Sequence, residues 1–211
     1  MEIIIPREEE EKLRQQLENR HDPEAERMKR FLTMPDLSRT EGSPIKEIVI
    51  RASKAESLKG FDVIEIPEIV STHVLFDLFN MPPEHPARSR SDTYYVDDEH
   101  VLRTHDTVFW YYYLNHPDIK KRIENKETLG VICYGKVYRK DEIDRKHMNV
   151  FHQFGGLYIT PDDKKTITPD DLKNSLSEIA RSVFGNINFR FYEHNFPYTD
   201  PSFEMEAEIN G

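Results

Sequence analysis

Two segments with the residue alternation of β-strands enclose a short charged connection, and this pairing constrains the fold more than any other feature. The segments comprise residues 129–139 and 150–159. Successive side chains of a strand point to opposite faces of a sheet, so Phe151 and Gln153 share a face, and Arg139 ends the other strand. If the two faces coincide, one surface presents a guanidinium, an aromatic ring and an amide.

Helices are predicted around this pair. Ser43-Pro44 and Thr168-Pro169 each place a capping residue before a proline, which is typical of a helix start. Residues 93–96 and 101–104 favour short strands. Helices interspersed with hairpin-like strand pairs predict an α+β fold with a mostly antiparallel sheet. The second helix has apolar residues at helical spacing that we expect to be buried, namely Leu172, Leu176, Ile179, Ala180 and Val183.

The N-terminal part is expected to form a separate helical segment. Residues 8–32 are rich in charge, contain no glycine and carry only a thin apolar stripe. Pro23 interrupts this stretch and predicts two short helices instead of one long helix. We expect a solvated lead-in over residues 1–34, followed by a main domain over residues 35–211.

Composition restricts the class of function. The net charge of −10 argues against a general nucleic-acid-binding surface, because phosphate contacts need clustered Lys and Arg. No apolar run approaches the roughly 20 residues of a membrane helix, and the N-terminus lacks the pattern of a signal peptide. The single cysteine, Cys133, excludes an internal disulfide and is expected to pack in the core of a cytoplasmic protein.

The polar residues around the connection are of the types that hold a nucleotide. The guanidinium of Arg139 can bind a phosphate with two hydrogen bonds, and the Phe151 ring can stack on adenine. The chain has no glycine-rich phosphate loop, so a nucleotide would have to be held by side chains, with His147 near its distal phosphates and the Asp141 carboxylate on the same surface. A surface hairpin with scattered charges is the alternative. Zinc binding by His147 and His152 is not expected, since no further Cys or His has zinc-finger spacing.

The same stretch resembles motif 2 of the class II aminoacyl-tRNA synthetases, in its phenylalanyl form. The resemblance is carried by Y-R-x-D from Tyr138, by a histidine six residues later, and by F-H-Q-x-x-G from Phe151. Three further blocks agree in order, at residues 60–88, 92–105 and 196–204. The chain therefore resembles the phenylalanyl-tRNA synthetase alpha chains from Pro35 onward, and it would stop before motif 3 with the fold incomplete at the C-terminus.

The resemblance implies a ligase. It implies that ATP and Mg²⁺ bind, that L-phenylalanine is activated to phenylalanyl-adenylate and transferred to tRNA-Phe, and that a beta chain completes an α2β2 assembly. Arg139 is the implied catalytic residue, at the ATP α-phosphate. Asp141, His147 and Phe151 are the other implied ATP contacts. The implied amino-acid contacts are His105, Thr107, Gln153, Gly155, Phe196 and Tyr198, and the implied magnesium ligand is Asp200.

Gly155 departs from the family pattern, which has an acidic residue there, facing the substrate ammonium. Loss of such a contact is expected to weaken phenylalanine binding by about 10- to 100-fold, and Gly155→Glu is expected to restore it. Asp106 is the neighbouring acid that could compensate, but it is predicted to cap the following helix instead.

Two further departures affect activity and specificity. Tyr198 stands where phenylalanine is common, which leaves discrimination between phenylalanine and tyrosine open. With no motif 3 after residue 206, the chain alone is expected to have little or no ligase activity. A truncated or non-catalytic synthetase-like module with a binding or regulatory role is the alternative, and another class II-like ligase for a different small acid is a third.

Overall fold

The structure is a computed structural model that describes residues 1–196 and 198–208. The helices are α1 (Glu8–Glu18), α2 (Pro23–Thr33), α3 (Pro44–Ala52), α4 (Thr72–Leu75), α5 (Phe109–Asn115), α6 (Pro117–Glu124) and α7 (Pro169–Phe184). The strands are β1 (Glu2–Ile4), β2 (Asp62–Glu65), β3 (Ile69–Ser71), β4 (His100–Leu102), β5 (Leu129–Tyr138), β6 (Val150–Ile159), β7 (Phe189–Phe196) and β8 (Thr199–Ala207). Among these residues, no helix is long and apolar enough to cross a bilayer.

A four-stranded sheet in the order β1-β2-β5-β6 organises the fold. The predicted hairpin is confirmed, because β5 and β6 pair antiparallel from Leu129 opposite Ile159 to Tyr138 opposite Val150. β1, β2 and β5 run parallel to one another, and the sequence pattern predicts neither β1 nor this parallel pairing. Two further antiparallel pairs, β3–β4 and β7–β8, make three of the five strand pairings antiparallel in the described residues.

The N-terminal helices pack against residues of the main domain. Leu17 and Met28 are 1% and 0% exposed and lie in one cluster with Tyr94 and Tyr138. α1 and α2 are separate helices, as predicted, and Pro23 is the first residue of α2. The expectation of a solvated lead-in is wrong, because the few apolar residues of these helices contact distant parts of the chain. Local composition does not predict such contacts.

A buried charge network connects these helices to the central sheet. Lys136 of β5 donates from Nζ to the carbonyl of Met34 at 2.7 Å and lies 3.2 Å from Oε1 of Glu68. Arg14 lies 2.9 Å from the other oxygen of Glu68, and its Nε donates to Glu10 at 2.9 Å. Lys136, Glu68 and Glu10 are at most 7% exposed. Each buried charge therefore has a partner of opposite sign, which burial at this depth requires.

α3 and α7 begin where their capping residues predict. The Asp171 carboxylate accepts the Thr168 N–H at 2.8 Å, and the Thr168 hydroxyl accepts the Asp171 N–H at 3.3 Å, which forms a capping box. The predicted buried face of α7 is too long: Ala180 is 3% exposed, but Leu172 is 44% exposed. The apolar cluster beneath α7 reaches the helix at Ile179, so the first turn remains in solvent.

The predicted strand over residues 93–96 is wrong in extent. Within it, only Tyr95 forms an isolated bridge, to Val101. The N–H of Val96 donates to the carbonyl of His100 at 2.9 Å, so these residues close a tight turn instead of extending a ladder. β4 pairs on its other side with β3, which the sequence pattern does not predict.

Lys136→Met should lower the free energy of unfolding by about 3 kcal/mol, because Glu68 would keep its buried charge and lose one of its two cationic partners. The measurement is urea denaturation followed by circular dichroism at pH 7.5. Lys59→Met is the matched control, since the Lys59–Glu56 pair at 3.3 Å is about 78% exposed on both sides. Equal unfolding midpoints for the two variants would contradict the stabilising role of the network.

Candidate functional site

The candidate site lies on one face of the β5–β6 hairpin. Just beyond β5, Arg139 donates from Nε to the carbonyl of Thr104 at 3.0 Å, and on β6 the Oε1 of Gln153 accepts the N–H of Asp106 at 2.9 Å. The guanidinium of Arg139 also lies 5.3 Å from the centroid of the Phe151 ring. The two strands thus turn their polar side chains toward the same short segment, residues 104–106, as their alternation predicts.

This segment approaches the sheet closely because both strands carry a glycine beneath it. A Cβ at Gly135 would lie 2.6 Å from Nη2 of Arg103, and a Cβ at Gly155 would lie 2.6 Å from Oδ2 of Asp106. Gly135 also has a φ of +152°, which residues with side chains rarely adopt. Arg103 is fixed by its Nε, which donates to the carbonyl of Lys136 at 2.8 Å.

Asp106 brings a carboxylate into the buried part of the site. It is 5% exposed, and its Oδ2 has no hydrogen-bond partner among the described residues. Burial raises the pKa of Asp106 to about 6, against the opposing attraction of the Arg103 guanidinium. The prediction that Asp106 caps the following helix is wrong: neither α5 nor the 3-10 turn before it has a side-chain capping bond. The carboxylate instead turns toward Gly155.

Arg139 combines a fixed backbone with available donors. Asn149 donates from Nδ2 to the carbonyls of Arg139 and Asp141, at 3.0 and 2.8 Å, and so fixes the chain where β5 ends. The Nε of Arg139 is used by Thr104, whereas its two terminal nitrogens make no hydrogen bond within the described residues. Two coplanar N–H donors without a partner in the protein can bind a phosphate or a carboxylate group.

An aromatic cluster lies beside the polar groups. The ring of Phe79 lies 4.8 Å from that of His105 and 5.3 Å from that of Tyr198, and Tyr198 stacks on Phe196 at 5.8 Å. Burial, assisted by the charge of Arg139, lowers the pKa of His105 to about 4, so this ring is neutral at pH 7. Thr107 is exposed next to this cluster in sequence.

Phe79 is a member of this cluster that the sequence analysis does not assign to the site. It is 4% exposed and lies in a 3-10 turn that ends at Asn80, which has a left-handed backbone with φ of 54°. The block around it resembles motif 1, which suggests that the region is important. Its aromatic residues look alike in sequence, however, and only the fold shows which ring contacts His105.

Three of the predicted ligands lie in solvent. Asp141 and His147 are exposed in the connection between β5 and β6, where Nδ1 of His147 lies 2.9 Å from Asp144. Asp200 is exposed on β8. Within residues 1–196 and 198–208, no group of three or more His, Cys, Asp or Glu side chains could hold a metal ion. These residues therefore remain predictions.

Two other side chains near the site have supporting contacts. His152 accepts the N–H of Leu37 at 3.0 Å and lies 3.3 Å from Asp36. Cys133 is fully buried in the main core, and burial raises the pKa of its thiol to about 12. Cys133 is thus a neutral packing residue at pH 7.

Comparisons with known proteins give consistent matches. Residues 31–210 match the sequence model of the tRNA synthetases class II core domain (F). A phenylalanine–tRNA ligase alpha subunit from Thermotoga neapolitana is 36% identical over 189 residues, which cover 88% of this chain and 54% of the relative. Another, from Fusobacterium nucleatum, is 38% identical over 165 residues, covering 78% of this chain and 45% of the relative. The chain thus spans about half the length of these relatives.

The fold has solved counterparts. A pyrrolysyl-tRNA synthetase from Desulfitobacterium hafniense superposes with a TM-score of 0.53 at 19% identity, over 80% of this chain and 56% of that protein. A second structure of that synthetase gives a TM-score of 0.52. The predicted α+β class II fold is confirmed, although its central sheet mixes parallel and antiparallel pairs.

Asp106→Asn should raise the free energy of unfolding at pH 7.5 by about 2–3 kcal/mol, since each unit of pKa shift corresponds to about 1.4 kcal/mol. The folded chain holds a proton on Asp106 up to a pKa of about 6, whereas the unfolded chain releases it near 4. The parent therefore loses stability as pH rises through this interval, and the asparagine variant does not. Urea denaturation at several values between pH 5 and pH 8 measures the difference.

Two neighbouring groups do not change protonation between pH 5 and pH 8. Cys133 stays a thiol because its pKa is about 12, and His105 stays neutral because its pKa is about 4. Asp98→Asn, at a carboxylate that is 94% exposed, is the control and should show no pH-dependent difference from the parent. A gain for Asp106→Asn of the same size at every pH would contradict the assignment of a strained, buried charge.

Proposed function

This chain belongs to the class II tRNA synthetase core-domain family, and on that premise we propose that it provides the amino-acid and ATP site of a phenylalanine–tRNA ligase alpha subunit. Its partners would be a beta chain, in an α2β2 assembly, and tRNA-Phe, in the cytoplasm. The relatives that support this proposal carry the alpha-subunit name, and this chain aligns with about half of their length.

The observation that carries the proposal is the convergence of Arg139 and Gln153. Both side chains leave adjacent strands on one face and contact residues 104–106, at 3.0 and 2.9 Å. A cation with free terminal donors and an amide thus meet at one short segment, as adjoining sites for ATP and a free amino acid would require. In a surface hairpin with scattered charges, these two side chains would not be expected to contact the same segment.

The reaction needs charge neutralisation more than a protein nucleophile. The amino-acid carboxylate attacks the α-phosphorus of ATP, a new O–P bond forms, and pyrophosphate leaves. Negative charge accumulates on the α-phosphate oxygens during this step. The terminal nitrogens of Arg139 would bind those oxygens, and the Phe151 ring would lie against adenine.

The amino-acid side chain would lie among the aromatic residues Phe79, Phe196 and Tyr198. Neutral His105 would add a polar ring edge without a competing positive charge, because its pKa lies near 4. Gln153 would orient the backbone of the substrate, with Thr107 and Gly155 nearby. This arrangement supports an aromatic amino acid as the substrate.

The remaining roles follow the resemblance. Asp141 would contact the adenine side of ATP, and His147 would contact the outer phosphates from the exposed connection. Asp200 would supply one ligand to Mg²⁺. Mg²⁺ is commonly held by one or two carboxylates together with nucleotide phosphates and water, so a single exposed carboxylate fits that role without a protein cage.

A non-catalytic synthetase-like binding or regulatory module is the competing proposal. It is favoured by Gly155, which removes the acid that the family pattern has at this position. Such a module would bind a ligand without exchanging pyrophosphate.

Reconstituted with its beta chain, the protein should catalyse ATP–pyrophosphate exchange that depends on L-phenylalanine. Arg139→Ala should lower kcat for exchange by about 100-fold or more, because it removes a charge that is needed mainly in the transition state. Arg90→Ala is the control, since Arg90 pairs with Asp98 in solvent at 2.6 Å. Phenylalanine binding with no exchange in any preparation would favour the non-catalytic module, and exchange that is insensitive to Arg139→Ala would refute the role of Arg139.

A further inference from the structure

The starting observation is that Asp106 occupies the space into which a side chain at position 155 would project. A Cβ built on Gly155 lies 2.6 Å from Oδ2 of Asp106 and 3.1 Å from both its Cγ and its Oδ1. The closest approach is well inside van der Waals contact. A side chain at 155 and the carboxylate at 106 are therefore mutually exclusive in this conformation.

The Asp106 carboxylate has no counter-charge at contact distance within the described residues. The charge of Arg103 opposes the rise in the pKa of Asp106. The Arg103 nitrogens donate to the carbonyls of Lys136 and Ile66, at 2.8 and 3.4 Å, and form no ion pair with Asp106. Cys133, opposite Gly155 in the sheet register, is a neutral thiol. A buried carboxylate with an open acceptor is costly unless something binds it.

The position of this acceptor indicates what it binds. The N–H of Asp106 donates to Gln153 at 2.9 Å, so the free carboxylate lies next to the amide that would orient the substrate backbone. The cluster of His105 and Phe79 follows directly on the N-terminal side of the same turn. An ammonium group carried by an aromatic molecule would find a carboxylate, an amide and aromatic rings as its neighbours here.

We propose that Asp106 binds the α-ammonium group of the amino-acid substrate and replaces the acid that the family pattern has at position 155. The inference rests on the proposed function and names the group that anchors the substrate. The carboxylate reaches the same space from the turn after β4 instead of from β6. Gly155 is then a requirement of the site, not a defect, because an acid there would collide with Asp106.

This assignment reverses one expectation from the sequence. Gly155→Glu alone should lower phenylalanine affinity, since it places a second carboxylate against the first. The acid should be tolerated at position 155 only when position 106 is small and uncharged, which makes the two positions strongly coupled.

The test compares L-phenylalanine with 3-phenylpropionate, which lacks the amino group, by titration calorimetry on the chain reconstituted with its beta chain. Asp106→Asn should weaken phenylalanine binding by about 10- to 100-fold and change phenylpropionate binding less than about twofold. Asp98→Asn should change neither affinity. A role in folding alone would weaken both ligands equally, and that result would overturn the inference, as would unchanged binding of phenylalanine.

A second pair of variants tests the inference even if Asp106→Asn does not fold. Asp106→Ser should lose phenylalanine affinity, and adding Gly155→Glu to it should recover at least about 10-fold of that loss. No recovery in a folded double variant would overturn the exchange of positions. If the parent itself binds no phenylalanine, the proposed function fails and this inference fails with it. Normal exchange activity with an unaffected Asp106→Asn variant refutes only the inference.

Discussion

The close approach of residues 103–106 to the β5–β6 hairpin is the contact on which the site depends. Arg103 and Asp106 can lie against the strands because Gly135 and Gly155 have no side chains, and a Cβ at either glycine would lie 2.6 Å from a charged group. The same approach brings the carbonyl of Thr104 to Arg139 at 3.0 Å. Gly135 and Gly155 thus allow residues 103–106 to contact the two strands.

This arrangement lowers stability, because it leaves buried polar groups without partners. Asp106 keeps an unpartnered oxygen at 5% exposure, and His105 is held neutral at a ring nitrogen that is also unpartnered. Polar groups left open inside a fold are rare and tend to cluster where a ligand completes them. By contrast, the buried side chains of Lys136 and Glu68 pair at 3.2 Å.

The sequence predicts the local features of the fold well and the distant ones poorly. Strand alternation predicts the β5–β6 hairpin and the shared face of Arg139 and Gln153, and capping residues predict the starts of α3 and α7. The burial of α1 and α2 depends on Tyr94 and Tyr138, far along the chain, so no local pattern can reveal it. Asp106 is misassigned for the same reason: before a helix an aspartate usually caps, and only the missing side chain at Gly155 makes another direction available.

The two faces of β5 make different contacts. On one face Gly135 lies beneath Arg103, whereas Lys136 on the other face contacts the end of α2 through the Met34 carbonyl at 2.7 Å. A slip of one residue along β6 would turn the ammonium of Lys136 toward Arg103 and leave a glycine against α2. The contacts on both faces would be lost together. Packing against the helices at the start of the chain therefore fixes the register of β5 and β6.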